Sequence, residues 1–414
     1  MVDAWSTADR RPHSLYVHVP FCVSKCPYCD FNSHVGLEHL FESYNQALVE
    51  EIMAWGRSLD HPRLDTIFIG GGTPSRVPAA HIKAVLDAAR IAFDVAEDAE
   101  ITLEANPQSA EAGRMASWLE AGVNRLSLGV QSLDSAALGF LERAHSAEEA
   151  TMVFEQARVA GFANISCDLI FGIPGLSTSR WAGVLGEVLE LGPDHVSAYE
   201  LTPEVGTRLG AEVAAGHTLM PDEETMLAQY ETVETLLRAA GFDRYEVSNW
   251  ARPGRECRHN IAYWTGVPYA AAGAGAHAFL QPPALPAWLD GAGATSVRQW
   301  NVSSPAAYIS AIRACGNAVA GHEQLDLATT LSDLMMMGLR RDSGVDLGDI
   351  EARWGTAARQ NLSPTIARLE ADGLLRTEAE RVRVASAGQR VLNRVVAEFL
   401  PAGSGDLALA GYNP

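Results

Sequence analysis

The chain has 414 residues, of which 47% are hydrophobic and 20% charged. That length suits about two or three domains of roughly 150 residues, and the globular composition excludes disorder as the main state. Formal net charge is −20; so acidic a surface argues against general nucleic-acid binding, and contact with an anionic membrane would need a protein partner.

Residues 1–13 read as an N-terminal tail. Met1 to Ser14 is polar and lacks the apolar segment of a secretory signal. No uninterrupted apolar run reaches the length of a membrane-spanning helix, so a cytoplasmic protein is expected.

From there short apolar runs alternate with stretches of helical spacing. The runs are Leu15–Val19, Thr66–Ile69, Glu100–Glu104, Arg125–Val130, Ser166–Phe171 and Val196–Leu201. Between them, Phe41, Tyr44, Leu48, Ile52 and Trp55 share one helical face, as do Ile82, Val85, Leu86, Ala89 and Phe93. This alternation predicts parallel βαβ units over residues 14–240, an α/β core that is a doubly wound sheet or a partial barrel. Either form places its functional residues at the carboxyl ends of strands. Those ends are chemically loaded. They lead into Cys22, into Gly70-Gly71-Gly72-Thr73-Pro74, into Glu104-Ala105-Asn106-Pro107 and into Gln131-Ser132. The fifth run contains Asp168 and leads into Gly172-Ile173-Pro174-Gly175.

A helix is predicted over Glu223–Ala240. Residues 241–324 form a connecting region, Gly/Ala/Pro-rich over roughly 250–298, holding Cys257-Arg258-His259-Asn260-Ile261-Ala262-Tyr263-Trp264 and Gly273-Ala274-Gly275-Ala276-His277. Pro282, Pro283 and Pro286 mark an exposed loop. In residues 325–400, Leu331, Leu334, Met335 and Leu339 have helical spacing, as do Leu362, Ile366 and Leu369, with Gly373 as a C-cap. Leu374–Arg376 and Val382–Val384 suit a two-stranded wing. This mostly helical, winged-helix-like module has balanced charge and no basic stripe, so packing or a lid role is expected over DNA reading. Residues 401–414 read as a flexible tail.

Six cysteines, Cys22, Cys26, Cys29, Cys167, Cys257 and Cys315, in a long reducing-compartment chain do not suggest a disulfide framework. Cys167 and Cys315 read as small core residues, and Met335–Met337 as core. Cys22, Cys26 and Cys29 follow the spacing Cys-x3-Cys-x2-Cys. A structural zinc site wants four ligands in paired knuckles, and the second knuckle is missing; a three-cysteine site completed by His18 or His34 is the zinc alternative. Three thiolates on one loop suit a cubane iron–sulfur cluster with one iron left open to a small chelating molecule.

This loop, placed after a first strand, resembles the signature of the radical S-adenosylmethionine (SAM) superfamily. The resemblance implies a 4Fe-4S cluster on Cys22, Cys26 and Cys29. It also implies SAM chelating the open iron and cleaving, on one-electron reduction, to a 5′-deoxyadenosyl radical. It further implies Tyr28 packing on the adenine and Gly70, Gly71, Gly72 and Thr73 admitting the SAM amino group. Glu104 would accept from ribose hydroxyls. Nearly the whole chain is similar to the coproporphyrinogen-dehydrogenase-like branch. The matching segments are Leu15–Cys22, Cys26–Phe31, Gly70–Pro74, Leu128–Ser132 and Asp168–Gly175. That branch implies a partial (β/α)6 TIM-like barrel with a winged-helix-like C-terminal domain. Tyr16, Gln131, Arg143 and Asp168 match positions lining the SAM region, with Arg143 suited to pair a carboxylate bidentately.

Within the branch, decarboxylating members resemble Cys-x3-Cys-x2-Cys-x-Cys, and here Phe31 stands at the fourth position. The haem-chaperone family, HemW, instead has three cysteines followed by Asp-Phe, as in Cys29-Asp30-Phe31. It also carries a His-Asn-x-x-Tyr motif, here His259-Asn260-Ile261-Ala262-Tyr263. The resemblance therefore implies a haem chaperone with SAM and 4Fe-4S as cofactors, haem as cargo and haem-acceptor proteins as partners; it leaves a homodimer open. Neutral His259 suits axial ligation and Tyr263 a porphyrin face, while Asn260 would orient the imidazole and Cys257 would offer a thiolate. The other reading of His259 is a buried imidazole beside core aromatics. His277 is a weaker ligand candidate or a helix cap. No residue is assigned a catalytic role. The rival reading is oxygen-independent coproporphyrinogen III dehydrogenase, which would decarboxylate two propionates.

Overall fold

The computed structural model describes residues 10–400; residues 1–9 of the tail expected over 1–13, and the tail expected over 401–414, lie outside the described residues. Six strands run parallel and neighbour one another in chain order. They are β1 (Ser14–Val19), β2 (Arg63–Gly71), β3 (Asp94–Ala105), β4 (Arg125–Gln131), β5 (Ile165–Phe171) and β6 (His195–Glu200). Nearly every residue of β4 and β5 is buried, as expected of strands covered on both faces. Helices α1 (Phe41–Ser58), α2 (Ala79–Ala92), α3 (Ala112–Ala121), α4 (Ala147–Ala160) and α5 (Thr178–Leu191) form the crossovers. Their apolar faces are those expected: Tyr44, Leu48, Ile52 and Trp55 on α1, and Ile82, Val85, Leu86 and Ala89 on α2, are all buried. Ser146 and Glu149 close a capping box at the start of α4. It ends on left-handed Gly161, which lets the chain turn straight into β5.

Helix α6 (Glu223–Ala239) follows β6. Residues 241–324 then extend both edges of the sheet. β7 (Asp243–Arg244) and β8 (Asn249–Ala251) add antiparallel strands beyond β6. β9 (Tyr269–Ala272) runs parallel to β1, and β10 (His277–Leu280), β11 (Ser296–Asn301) and β12 (Val319–Leu325) continue antiparallel. The result is one 12-stranded sheet. Glu51 of α1 pins the β9 side: it accepts from the Gly273 N–H (2.8 Å), Asn301 Nδ2 (2.7 Å) and Tyr308 Oη (2.6 Å). Burial pushes its carboxyl up to about 7. Between β8 and β9, helix α7 (Arg258–Trp264) lies across the amino-terminal ends of the strands. Its first N–H groups, from Arg258 and His259, donate to Glu100 of β3, both at 3.0 Å.

The C-terminal module has its own core, which includes Leu331, Met335, Leu362, Ile366, Leu369 and Val382. Helices α8 (Leu327–Gly338), α9 (Leu347–Trp354) and α10 (Thr356–Ala371) pack with β13 (Val345–Asp346), β14 (Leu375–Glu378) and β15 (Arg381–Val384). The two expected wing strands form, and β13 adds a third. Arg244 Nε donates to Asp342 Oδ1 at 2.8 Å and Arg353 Nη2 to the Gly266 carbonyl at 2.7 Å, which fastens this module to the barrel. Cys167 is buried, but Cys315 is exposed and corrects its core reading. It ends its helix (Pro305–Cys315), whose buried face stops at Ile312 before Gly316 turns the chain. Among the described residues no helix is long and apolar enough to cross a membrane.

Candidate functional site

The carboxyl ends of the parallel strands open on a cleft of about 2300 Å³ that also reaches down between the strands. Of the residues expected to hold the cluster, SAM and haem, all but Gly70 line it. The cysteine loop is closed at its base, where Phe21–Cys22 pairs in parallel with His34–Val35. His18 braces it from below. Its Nε2–H donates to the Asn32 carbonyl (2.8 Å) and its Nδ1 accepts from Tyr16 Oη (3.0 Å). Both ring nitrogens are thereby used, and burial holds the imidazole neutral with its pKa near about 4. His18 is thus no fourth zinc ligand. Among the described residues no three His, Cys, Asp or Glu side chains converge as a single metal ion requires. A 4Fe-4S cluster would instead be held by the thiolates of Cys22, Cys26 and Cys29.

The sulfurs have polar support. Cys22 Sγ lies 3.5 Å from Thr73 Oγ1, and Arg143 Nη1 donates to Cys26 Sγ at 3.5 Å. Burial pushes the Cys22 and Cys29 thiols up, so ionisation at neutral pH calls for a bound positive centre. The donor set fits an iron–sulfur cluster. Arg143 also donates through Nη2 to Asn106 Oδ1 (2.6 Å) and the Gly129 carbonyl (3.1 Å). Its fork is therefore engaged between strand ends instead of standing free for a carboxylate.

The glycines have a reason of their own. A Cβ on Gly71 (φ 114°) would sit 2.5 Å from the His18 ring, and one on Gly72 would sit 2.9 Å from the Phe21 nitrogen. The end of β2 can lie against the cysteine loop only without side chains. The Gly71 N–H donates to Glu104 Oε2 at 3.0 Å. Burial, then the charge of Asp168, pushes the Glu104 carboxyl up to about 8. Asp168 itself accepts from Ser127 (2.8 Å), Ser166 (3.0 Å) and Ser197 (2.7 Å). Gln131 has a left-handed backbone (φ 64°) at a break in the β4–β5 register. The Ser132 N–H closes a tight turn there onto the Val130 carbonyl at 2.8 Å. Phe31, at the position of a fourth cysteine, is exposed beside the cleft.

The His-Asn-x-x-Tyr motif sits at the opposite end of the barrel. His259 contacts Thr66, five residues and roughly 16 Å along β2 from Gly71. The Thr66 hydroxyl donates to Ser14 Oγ at 2.9 Å, so its oxygen accepts the His259 Nδ1–H at 2.8 Å. This leaves Nε2 as a lone pair with no hydrogen-bond partner. The ring stacks on Phe68 (5.2 Å) and meets Tyr263 edge-on (4.8 Å). Burial, then the charge of Arg125, lowers its pKa to about 3, so it is neutral. Thr66, not Asn260, orients the imidazole; Asn260 Nδ2 donates to Tyr245 Oη at 3.3 Å instead, because the turn of α7 points it toward β7. Burial pushes the Cys257 thiol up to about 12 beside Glu100, so it offers no thiolate. His277 lies on β10 against Trp300, not at a helix end. Sequence reasoning missed Arg125, His195 and Tyr245, which line the same interior. Each is a single polar residue in or beside an apolar run, and that placement was the available signal.

Residues 16–186 match the Radical SAM superfamily and residues 325–391 the HemN C-terminal domain. The structure is similar to that of coproporphyrinogen III oxidase (HemN) from Escherichia coli, with a TM-score of 0.78 at 23% identity over 96% of this chain and 92% of that one. Fold and site together define a radical SAM protein of the HemN/HemW branch. The chain is 36% identical to "Heme chaperone HemW" of Mycobacterium tuberculosis over 94% of its own length and 95% of the relative's. It is 32% identical to that of Bacillus subtilis over 94% and 99%. A mouse relative, "Radical S-adenosyl methionine domain-containing protein 1, mitochondrial", is 35% identical over 94% and 87%. The chain belongs to the HemW family.

Proposed function

We propose that this protein is a cytoplasmic haem chaperone that carries a 4Fe-4S cluster and SAM, holds haem and passes it to acceptor proteins. The cluster would sit on Cys22, Cys26 and Cys29. SAM would lie among Tyr16, Tyr28, Gly71, Gly72, Thr73, Glu104, Gln131, Arg143 and Asp168. Haem would sit at His259, Asn260 and Tyr263. When bound, the cluster with SAM supplies one-electron chemistry. The chain's own residues do the rest. Thr73 and Arg143 offer hydrogens to the sulfurs. Glu104, protonated below about pH 8, offers both a donor and an acceptor at the strand end. His18 and Phe21 hold the loop against β2.

The observation that carries the haem assignment is His259: a cleft-lining residue, neutral, fixed through Nδ1, whose buried Nε2 lone pair has no hydrogen-bond partner. The HemW relatives support it over most of the chain. Anaerobic titration with haem, followed by Soret absorption, tests the reading. Saturable one-to-one binding is expected, weakened at least about 10-fold in His259→Ala, the loss of one coordination bond. No saturable binding, together with turnover of coproporphyrinogen III, would overturn it in favour of the dehydrogenase. For the cluster, Cys26→Ala is expected to lose the broad visible absorption after anaerobic reconstitution; full iron and sulfide in that variant would refute the ligand set.

A further inference from the structure

The barrel interior holds a cation that the reading above leaves without a task. Arg125 opens β4 and is only 2% exposed. Its guanidinium lines the cleft. Among the described residues it makes no hydrogen bond and no ion pair, and its buried Nε–H has no acceptor. A buried arginine so placed is costly, because its donors have been taken from water without an acceptor in return.

The acceptors around it are committed elsewhere. Asp168 is taken by three serine hydroxyls. Glu100 is taken by the N-terminus of α7, with the Cys257 thiol 3.5 Å away. His195 bonds Ser166 through Nδ1 and Tyr245 through Nε2, both at 2.8 Å. The guanidinium is therefore an unpartnered cation on the wall of the cleft. Arginine's planar fork matches the two oxygens of a carboxylate. Asp168 and Glu100 already offset part of its charge, which favours a singly charged carboxylate over a phosphate dianion. Arg125 and His259 line the same cleft, and the charge of Arg125 adds to burial in keeping His259 neutral.

We propose that Arg125 receives a carboxylate of the ligand that enters the barrel. Resting on the haem reading, the inference is that haem binds with one propionate turned inward onto Arg125 while its metal faces His259 Nε2. The cargo would then be held propionate-first, not by a propionate left in solvent.

The test compares ferric protohaem IX with its dimethyl ester, titrated anaerobically into the full-length protein and followed by Soret absorption. Wild type is expected to bind haem about 10-fold or more tightly than the ester, the factor set by a charge-assisted hydrogen-bonded pair. Arg125→Met is expected to lose that preference, with ester affinity unchanged, and Arg125→Lys to keep part of it. If haem and ester bind wild type equally, or Arg125→Met retains the preference, Arg125 is only hydrated and the proposal fails while the haem reading stands. If no haem binds saturably, both fall. Should Arg125→Met not fold, the ester comparison on wild type and the Arg125→Lys titration decide alone.

Discussion

Glu104 ends β3 with its carboxyl against the Gly71 N–H, and its pKa of about 8 stands well above the ordinary 4.5. Between those two values the unfolded chain has released this proton and the folded chain keeps it. The folded state then binds more protons, so stability falls as pH rises through that window and is flat above it. Glu104→Gln removes the titration but keeps an acceptor for Gly71. In ligand-free protein, its stability relative to wild type is expected to rise by on the order of 2 kcal/mol from pH 5 to pH 8. Urea unfolding at both pH values checks this, and a pH-independent difference would count against it. Residues of this kind were legible because they sit in spaced motifs: cysteines, a glycine run and acids at strand ends. Arg125, His195 and Tyr245 were not. Each stands alone in the sequence, and only the closing of the sheet brings them together.

At the scale of elements, Glu51 shows how an edge is held. Its carboxylate accepts from Gly273, Asn301 and Tyr308 and ties α1 to the β9–β11 side. Glu51→Ala would leave three buried donors without an acceptor. It is expected to lower unfolding stability by about 3 kcal/mol; a loss under about 1 kcal/mol in a urea melt would show that water replaces the carboxylate. The six parallel strands were readable because short apolar runs recurred and most ended in Gly, Pro or Asn. The edge strands were not. β9 reads Tyr-Ala-Ala-Ala, too poor in β-branched residues to signal a strand, and it is one only because β1 offers it an unpaired edge. Asn260 was misjudged for a related reason: helical phase, not proximity in sequence, decides which neighbour a side chain meets.

At the scale of the whole molecule, the two cores are joined by a set of polar contacts. Arg244 is central among them: its guanidinium bonds Asp342 and Tyr230 Oη (2.7 Å) while lying over Trp250. A double-mutant cycle between Arg244→Ala and Asp342→Ala is expected to give a coupling of about 1–2 kcal/mol. Additive effects would place the fastening elsewhere, on Arg353 and the Ser296–Thr330 hydroxyl pair. The winged-helix-like character of this module was legible from its helical spacing and two short β runs. Its docking was not, because such contacts join residues nearly a hundred positions apart.

The turn at Gln131 has a consequence for variation. A non-glycine residue held at φ 64° costs stability at the place where SAM is proposed to bind. Gln131→Gly should relieve that cost and raise the thermal midpoint, by about 1 kcal/mol or less in free energy. It should also weaken SAM binding, which equilibrium dialysis would reveal. A search for hardier variants that ignored ligand would therefore drift toward forms that endure heat and no longer recognise their cofactor. Such a form, sturdier than its parent and blind to SAM, would serve as a matched control for every claim that SAM matters to this protein.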